Sequence, residues 1–235
     1  ENRLSEVWSV FDFASPGMLG GLSHFEDRFA KPIERGDQRA AEELRAAIEP
    51  FILRRTKSQV AKDLPPKIVQ DIVVPMTDEQ KQLYGQILRE VRESVLEKVE
   101  SEGVAKSQMQ ILTALTRLRQ IACDPRLTGI GEDWRDSDSG KLEAVREILS
   151  EAVAGGHRAL VFSQFTTMLG ILRDAADAAG WPYLYLDGST KDRQGLVEKF
   201  NKDTSIPIFF ISLKAGGTGL NLTGAEPVVH YDPWW

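Results

Sequence analysis

The spacing of apolar positions changes along the 235-residue chain. In roughly the first half, apolar side chains recur every three or four positions, which is the spacing of amphipathic helices. This spacing predicts helices over residues 2–13 and 38–49, and two longer helices after residue 76. The first long helix opens with a capping-box pattern at Thr77, and the second ends at Asp124. We expect these two long helices to pack against each other as a protruding hairpin.

One segment interrupts this helical half. Residues 67–74 are rich in β-branched side chains and lie between prolines. This composition predicts either a strand or an extended linker ahead of the long hairpin.

After residue 139, short apolar strands alternate with helices. The predicted strands cover residues 159–162, 183–186, 206–211 and 228–231, and the predicted helices cover 166–179 and 190–200. This alternation is typical of a buried parallel sheet with right-handed crossovers, so the predicted fold class is α/β. Ligands of such sheets bind outside the carboxyl ends of the strands, where Ser163-Gln164, Asp187-Gly188 and a glycine-rich loop fall.

The glycine-rich loop covers Gly216–Gly219, soon after the strand that ends near Ser212. Its three glycines can take positive φ and point successive backbone N–H groups at one anion, forming a nest. Ser212, Lys214 and Thr218 stand beside them and could contact a phosphate. The glycines could equally form a tight turn with no ligand, and their pattern alone leaves both interpretations open.

The formal net charge of −6 argues against nucleic-acid binding through overall positive charge. Any contact with a polyanion must therefore be local. A basic cluster that begins with Arg54, Arg55 and Lys57 is the best candidate, and a solvated charged face is the alternative. The single cysteine, Cys123, excludes an internal disulfide and a cysteine-built metal site, and we expect it to be a small core residue.

No apolar stretch approaches the roughly 20 residues that cross a bilayer, and the first residues lack the apolar core of a signal peptide. We therefore expect a cytoplasmic protein with no membrane partner. The chain begins without methionine and ends on Trp234 and Trp235 directly after a strand-like segment. This ending suggests a piece of a longer polypeptide.

The sequence contains neither a complete nucleotide site nor a catalytic set. Ser139-Gly140-Lys141 is similar to the end of a phosphate-binding loop, but Arg135 and Leu142 stand where Gly and Ser or Thr are required. The dinucleotide fingerprint also fails, because Leu222 replaces its third glycine. Each of the three histidines is better interpreted as a structural residue than as a general base.

Taken in order, several segments resemble the motifs of the Swi/Snf-type family of DNA-dependent ATPases within helicase superfamily two. The segments are Glu1–Trp8 after motif III, Pro50–Lys57 as the connector ahead of Leu64–Lys67, Ala159–Phe165 as motif IV, Tyr185–Thr190 as the next block and Ser212–Leu222 as motif V. The resemblance covers nearly the whole chain, and blocks in the family's order are more specific than any one block. One departure is Thr218, which stands where an apolar leucine is frequent.

The resemblance implies a two-lobed motor with RecA-like lobes, ATP and Mg²⁺ in the cleft between them, and double-stranded DNA across both lobes. Residues 1–75 would hold the tail of lobe one with the first helical protrusion and the connector. Residues 76–137 would form the second helical protrusion, and residues 138–235 the C-terminal RecA-like lobe, truncated before motif VI. The phosphate-binding loop, the acidic motif and the arginine-bearing motif VI would lie outside this chain. The chain alone is therefore expected to be inactive and to bind no cofactor tightly, with the N-terminal lobe of the same protein as its partner.

The family's pattern also implies two sets of site residues. The residues that hold the DNA backbone would be Ser163, Gln164, Ser212, Lys214, Thr218 and Trp235, together with Arg54, Arg55 and Lys57 of the basic cluster. The residues on the nucleotide side would be Gly217, Gly219 and Asn221. No catalytic or metal-binding residue is expected within the chain.

Two other functions stay open at this point. The chain could be a non-catalytic regulatory or docking module whose helical protrusions recruit a protein partner. A flavodoxin-like or glycosyltransferase-like sheet that binds a small ligand would explain the alternation, but not the connector or the long hairpin. For a DNA motor, the expected location is the nucleoid of a bacterium or the nucleus of a eukaryote.

Overall fold

The computed structural model describes residues 3–60, 67–131, 133–216 and 219–232. Its contacts divide the chain into two compact units, Glu1–Gln70 and Asp71–Trp235. The three-part division expected from the family's pattern, with boundaries near residues 75 and 137, stays a prediction.

The first unit is built from helices. These are α1 (Leu4–Ala14), α2 (Leu22–Phe25), α3 (Lys31–Glu34), α4 (Gln38–Ile48) and α5 (Lys57–Val60), with a π-helical turn at Glu26–Ala30 and a 3-10 turn at Glu49–Phe51. Helices α1 and α4 confirm the two predicted helices, and they bury Phe11 and Leu44 in one cluster with Phe25. The shorter helices between them escape prediction, because four or five residues are too few to show a helical period.

The second unit begins with an irregular segment and continues into a helical hairpin. Residues 67–76 form neither helix nor strand, so of the two predicted alternatives the strand is wrong. The hairpin consists of α6 (Asp78–Glu102) and α7 (Val104–Cys123), which confirms the two predicted long helices. Gly103 joins them with a φ of 81°, a value that glycine adopts without strain.

The start of α6 has the predicted capping box. The Thr77 hydroxyl oxygen accepts the N–H of Gln80 at 3.2 Å, and the Gln80 side-chain oxygen accepts the N–H of Thr77 at 3.3 Å. Nε2 of Gln80 donates to the carbonyl of Ile121 at 3.0 Å, so this one buried side chain also connects α6 to α7. Ile87 and Ile121 are buried together between the two helices.

A parallel sheet of four strands forms the rest of the second unit. Its strands are β1 (Ala159–Ser163), β2 (Tyr183–Leu186), β3 (Ile208–Ser212) and β4 (Val228–His230), in the order β2-β3-β1-β4. Its helices are α8 (Gly140–Ala154), α9 (Thr166–Ala179), α10 (Arg193–Lys202) and the single turn α11 (Leu213–Gly216). Every pairing within this sheet is parallel, which confirms the predicted α/β class.

Helices cover both faces of the sheet. On one face, Phe210 packs in a cluster with Leu142 of α8 and Met168 of α9. On the other face, Phe209 packs against Phe200 of α10, with 5.2 Å between the ring centroids. Successive residues of a strand point to opposite faces, so β3 contributes to both clusters and is buried along its whole length.

Two helices beside the sheet differ from the prediction. No helix is predicted at α8, although Leu142 and Leu149 lie on one helical face and are buried. Helix α10 begins at Arg193 rather than at residue 190. Asp192 is its cap, because the carboxylate of this residue accepts a backbone N–H in the first turn at 2.8 Å.

Candidate nucleic-acid interface

The carboxyl ends of the strands bring three polar loops to one edge of the sheet. β1 and β3 are neighbouring parallel strands, and Ser163 lies opposite Ser212 in their register. β2 pairs with the other side of β3, so the loop that follows β2 lies at the same edge. We call the three loop segments at this edge the rim: Ser163–Phe165, Asp187–Thr190 and Ser212–Gly216.

The two serines of the rim are buried, with 0% of Ser163 and 3% of Ser212 exposed. The Ser163 hydroxyl oxygen accepts the N–H of Phe165 at 3.1 Å, and the Ser212 hydroxyl oxygen accepts the N–H of Ala215 at 3.4 Å. Each hydroxyl therefore fixes the turn that follows its own strand. Their contact with a DNA backbone stays a prediction, since in this structure both hydroxyls are used within the protein.

Lys214 carries the exposed positive charge of the rim. It lies on α11, the helical turn directly after β3, and its neighbours Ser212 and Ala215 are buried. Because these neighbours anchor the turn, the lysine stem starts from a fixed backbone and extends into solvent. Of the predicted DNA-binding residues on the rim, Lys214 is the one that an external phosphate can reach without rearrangement of the fold.

Gly216 is a glycine for a packing reason. A Cβ at this position would lie 2.9 Å from Cε1 of Phe162 and 3.2 Å from Cγ2 of Ile211, which is closer than ordinary carbon contacts. Gly216 is also helical, so the predicted positive φ is wrong for this residue. Gly219 is exposed and has a φ of 62°, which confirms the predicted positive φ at this glycine.

The described rim does not include several of the predicted site residues. Gly217, Thr218, Trp235 and the side chain of Lys57 lie outside the described residues. Arg54 and Arg55 belong to the first compact unit and are exposed there. Their role in binding DNA stays a prediction.

Gln164 connects the rim to two residues that sequence reasoning missed, Asp232 and Arg119. The backbone N–H of Gln164 donates to the Asp232 carboxylate at 3.0 Å, and the side-chain oxygen accepts from Nη1 of Arg119 on α7 at 3.3 Å. Asp232 is only 2% exposed, and this burial raises its pKa, against the opposing effect of the Ser163 hydroxyl and the Gln164 N–H. The sequence signal that could have identified Asp232 as a site residue is its position directly after a predicted strand.

The residue before Asp232 ties the end of β4 to the hairpin. The hydroxyl of Tyr231 donates to the carbonyl of Cys123, the last residue of α7, at 3.0 Å, and the hydroxyl of Ser139 donates to the same carbonyl at 3.2 Å. Burial raises the pKa of Tyr231, and it raises the pKa of the Cys123 thiol to about 12. Cys123 is therefore the buried core residue that the sequence predicts, and it is held in the thiol form.

Asp187 shapes the loop after β2. Its carboxylate accepts the backbone N–H of Ser189 at 2.8 Å and the hydroxyl of the same serine at 2.7 Å. The hydroxyl of Ser189 is the main cause that lowers the pKa of Asp187. The other carboxylate oxygen accepts the hydroxyl of Tyr185 at 3.1 Å, so Asp187 is used as an acceptor by its own strand and loop.

The arrangement suits anion binding. Within the described residues there is no group of His, Cys, Asp or Glu side chains that could hold a metal ion. In the same part of the chain, no helix combines the length and the apolar character needed to span a membrane. The described rim presents the exposed ammonium of Lys214 on a turn that buried hydroxyls and backbone hydrogen bonds hold in place.

Two family models match this chain. The model of the SNF2-related domain matches residues 1–127, and the model of the helicase conserved C-terminal domain matches residues 140–235. An uncharacterized ATP-dependent helicase of Mycoplasma pneumoniae is 40% identical over 100% of this chain and 22% of its own length. The putative ATP-dependent helicase/translocase YwqA of Bacillus subtilis is 38% identical over 100% of this chain and 26% of its own length. The chain thus spans about a quarter of the length of these relatives.

Solved structures show the same likeness. The Sulfolobus solfataricus SWI2/SNF2 ATPase core domain is 38% identical, with a TM-score of 0.63 over 100% of this chain and 49% of that one. The same core in complex with dsDNA has a TM-score of 0.62 at 38% identity, over 100% of this chain and 50% of that one. These likenesses extend across both compact units of the chain.

Proposed function

The chain belongs to the SNF2 family, as its motifs predicted, and on that premise we propose that it is the helical region and C-terminal helicase lobe of an ATP-driven translocase on double-stranded DNA. In this proposal the rim grips the phosphate backbone, and the lobe completes the ATP cleft together with the N-terminal lobe of the same protein. The observation that carries the proposal is Lys214, an exposed cation at the carboxyl edge of a parallel sheet.

The chemistry of Lys214 suits a phosphate more than a base. An ammonium is a compact, strongly hydrated charge that binds phosphate as a point charge and reads no base pattern. Backbone contacts position a protein on DNA without sequence information, which is what a motor that moves along DNA needs. Because the net charge of the chain is −6, the attraction must come from such a local group rather than from the whole surface.

The residues of this chain do not by themselves fit a complete site for ATP and Mg²⁺. The sequence lacks a phosphate-binding loop, and the described residues contain no cluster of metal ligands. We propose that Gly219 and Asn221, which are both exposed, face the nucleotide from this lobe and that the rest of the site belongs to the N-terminal lobe. The chain alone is therefore expected to hydrolyse no ATP.

Movement along DNA would come from alternating grips. We propose that the two lobes close on each other when ATP binds and part after hydrolysis, so that each lobe in turn holds the phosphate backbone. The rim is suited to this task because its turns are fixed by the buried hydroxyls of Ser163 and Ser212 and do not need to form anew in each cycle. As a DNA-bound motor, the protein would reside in a bacterial nucleoid or a eukaryotic nucleus.

The test uses Lys214→Ala in the full-length protein. We expect DNA-stimulated ATP turnover to fall, and the slope of log affinity against log salt concentration for a duplex to become shallower by about 0.9, the value of one phosphate contact. The matched control is Lys199→Ala. Lys199 is exposed on α10, near the end of the helix that leads away from the rim, so neither quantity should change.

The outcome also separates the competing functions. If Lys214→Ala and Lys199→Ala give the same salt slope and the same DNA stimulation, the rim does not grip DNA. If the full-length protein shows no DNA-stimulated ATP turnover at all, the docking-module alternative replaces the motor.

A further inference from the structure

One side chain, Asn201, holds the segment that follows the glycine-rich loop. Asn201 lies in the last turns of α10. Its Nδ2 donates to the carbonyl of Asn221 at 2.9 Å, and its Oδ1 accepts the N–H groups of Thr223 and Gly224 at 3.2 Å each. A single amide therefore satisfies three backbone groups of one short segment.

The segment needs these bonds because it has no regular structure of its own. Residues 219–225, which precede β4, form neither helix nor strand. Backbone N–H and C=O groups in such a segment lack the partners that a ladder or helix would supply. A side-chain amide carries one acceptor and one donor group, so it can replace a neighbouring strand for two or three residues.

Arg158, directly before β1, fixes the end of α10 that carries Asn201. Its guanidinium lies over the ring of Phe200, 4.0 Å from the centroid, and donates to the Phe200 carbonyl and to two further carbonyls after it. Gly224 allows the segment to come close, because a Cβ at that position would lie 2.7 Å from Nη1 of Arg158. The position of the Asn201 amide is thus set by the core of the lobe.

We propose that Asn201 is a positioning residue for ATP turnover, because it fixes the backbone of Asn221–Gly224 and with it the direction in which Gly219 and Asn221 are presented to the nucleotide. The inference rests on the proposed function, which puts Gly219 and Asn221 on the nucleotide side of the lobe. Without the amide, this exposed segment would sample many backbone conformations, and only a few of them would place both residues correctly.

The test is Asn201→Asp in the full-length protein. The carboxylate keeps the size of the side chain and both acceptor bonds, but it cannot donate to the carbonyl of Asn221. We expect kcat/KM for ATP in the DNA-stimulated reaction to fall by about 10- to 100-fold, since a misplacement of about 1 Å can cost about 100-fold. Affinity for a duplex without nucleotide should stay unchanged. Asn201→Ser removes the amide without adding charge and should change the same quantity in the same direction.

Lys202→Ala is the matched control. It lies next to Asn201 on α10, and its side chain is 78% exposed. Its ion pair is with Glu198 of the same helix, so its removal should leave kcat/KM unchanged. Unchanged kcat/KM in folded Asn201→Asp and Asn201→Ser would overturn the inference. A fall that merely follows the fraction of folded protein, measured by thermal unfolding in the assay buffer, would overturn it as well.

The failure of this inference is distinguishable from failure of the proposed function. If Lys214→Ala weakens DNA stimulation while the Asn201 variants behave as wild type, only the positioning role is refuted. If the wild-type protein shows no DNA-stimulated turnover, the proposed function is refuted and the positioning role with it.

Discussion

The carbonyl of Cys123 accepts two side-chain hydrogen bonds, and removing them singly and together tests how the chain after β4 is held against the hairpin. The donors are the hydroxyls of Tyr231, at 3.0 Å, and Ser139, at 3.2 Å. All three residues are buried, with exposed fractions of 2% for Cys123, 4% for Tyr231 and 0% for Ser139. Tyr231→Phe and Ser139→Ala each delete one donor with little loss of packing.

The magnitudes follow from what each change leaves behind. Either single change leaves the carbonyl one partner, so each should lower the free energy of unfolding by about 1 kcal/mol, the net value of a hydrogen bond. The double change leaves the buried carbonyl with neither hydroxyl, which adds a desolvation penalty of about 1–3 kcal/mol. We therefore expect the double variant to lose about 3–5 kcal/mol instead of about 2.

Hydrogen exchange of the β3 amides is a suitable assay. β3 is buried along its whole length at the centre of the sheet, so its slowest amides exchange through unfolding of the second unit. The two single variants, the double variant and the wild type form a complete double-mutant cycle. The expectation fails if the loss of the double variant equals the sum of the two single losses to within about 0.5 kcal/mol. Residues that share a partner should show a coupling energy larger than that.

Two further predictions concern the rim and Asp232, which contacts it. Gly216→Ala should lower the melting temperature, because the new Cβ would press on the ring of Phe162. Such overpacking costs about 1–3 kcal/mol, which exceeds the stabilisation of about 1 kcal/mol that alanine gives a helix relative to glycine. An unchanged melting curve would contradict this and show that the Phe162 ring moves aside freely. Burial raises the pKa of Asp232, so the stability that this group contributes is complete below about pH 4 and is lost as the pH rises through the raised value. Asp232→Asn should therefore melt above the wild type near neutral pH and converge with it at about pH 4, and a pH-independent difference would contradict this.

The sheet region is predictable because each strand is a continuous apolar run of the right length. The predicted bounds of β2 and α9 are the observed ones. Helix α8 was missed although its buried residues, Leu142, Val145 and Leu149, recur at helical spacing. Its cap residue, Ser139, makes no side-chain cap bond. Helix α11 is a single turn and is too short to show a period.

The place of the candidate site is predictable from topology, whereas the direction of its side chains is not. Ser163 and Ser212 follow strands and look like exposed polar positions, yet both hydroxyls turn inward to the loops. Arg119 and Asp232 are far apart in the sequence, and only folding brings them to Gln164. Contacts of this kind depend on how α7 packs beside the rim, which the local sequence pattern does not encode.

The most direct test of the account is a structure of the full-length protein bound to a DNA duplex. The account predicts that Nζ of Lys214 lies about 3 Å from a phosphate oxygen, the distance of a charge-assisted hydrogen bond. A structure in which Lys214 and the rim are covered by protein, with the duplex bound elsewhere, would contradict it.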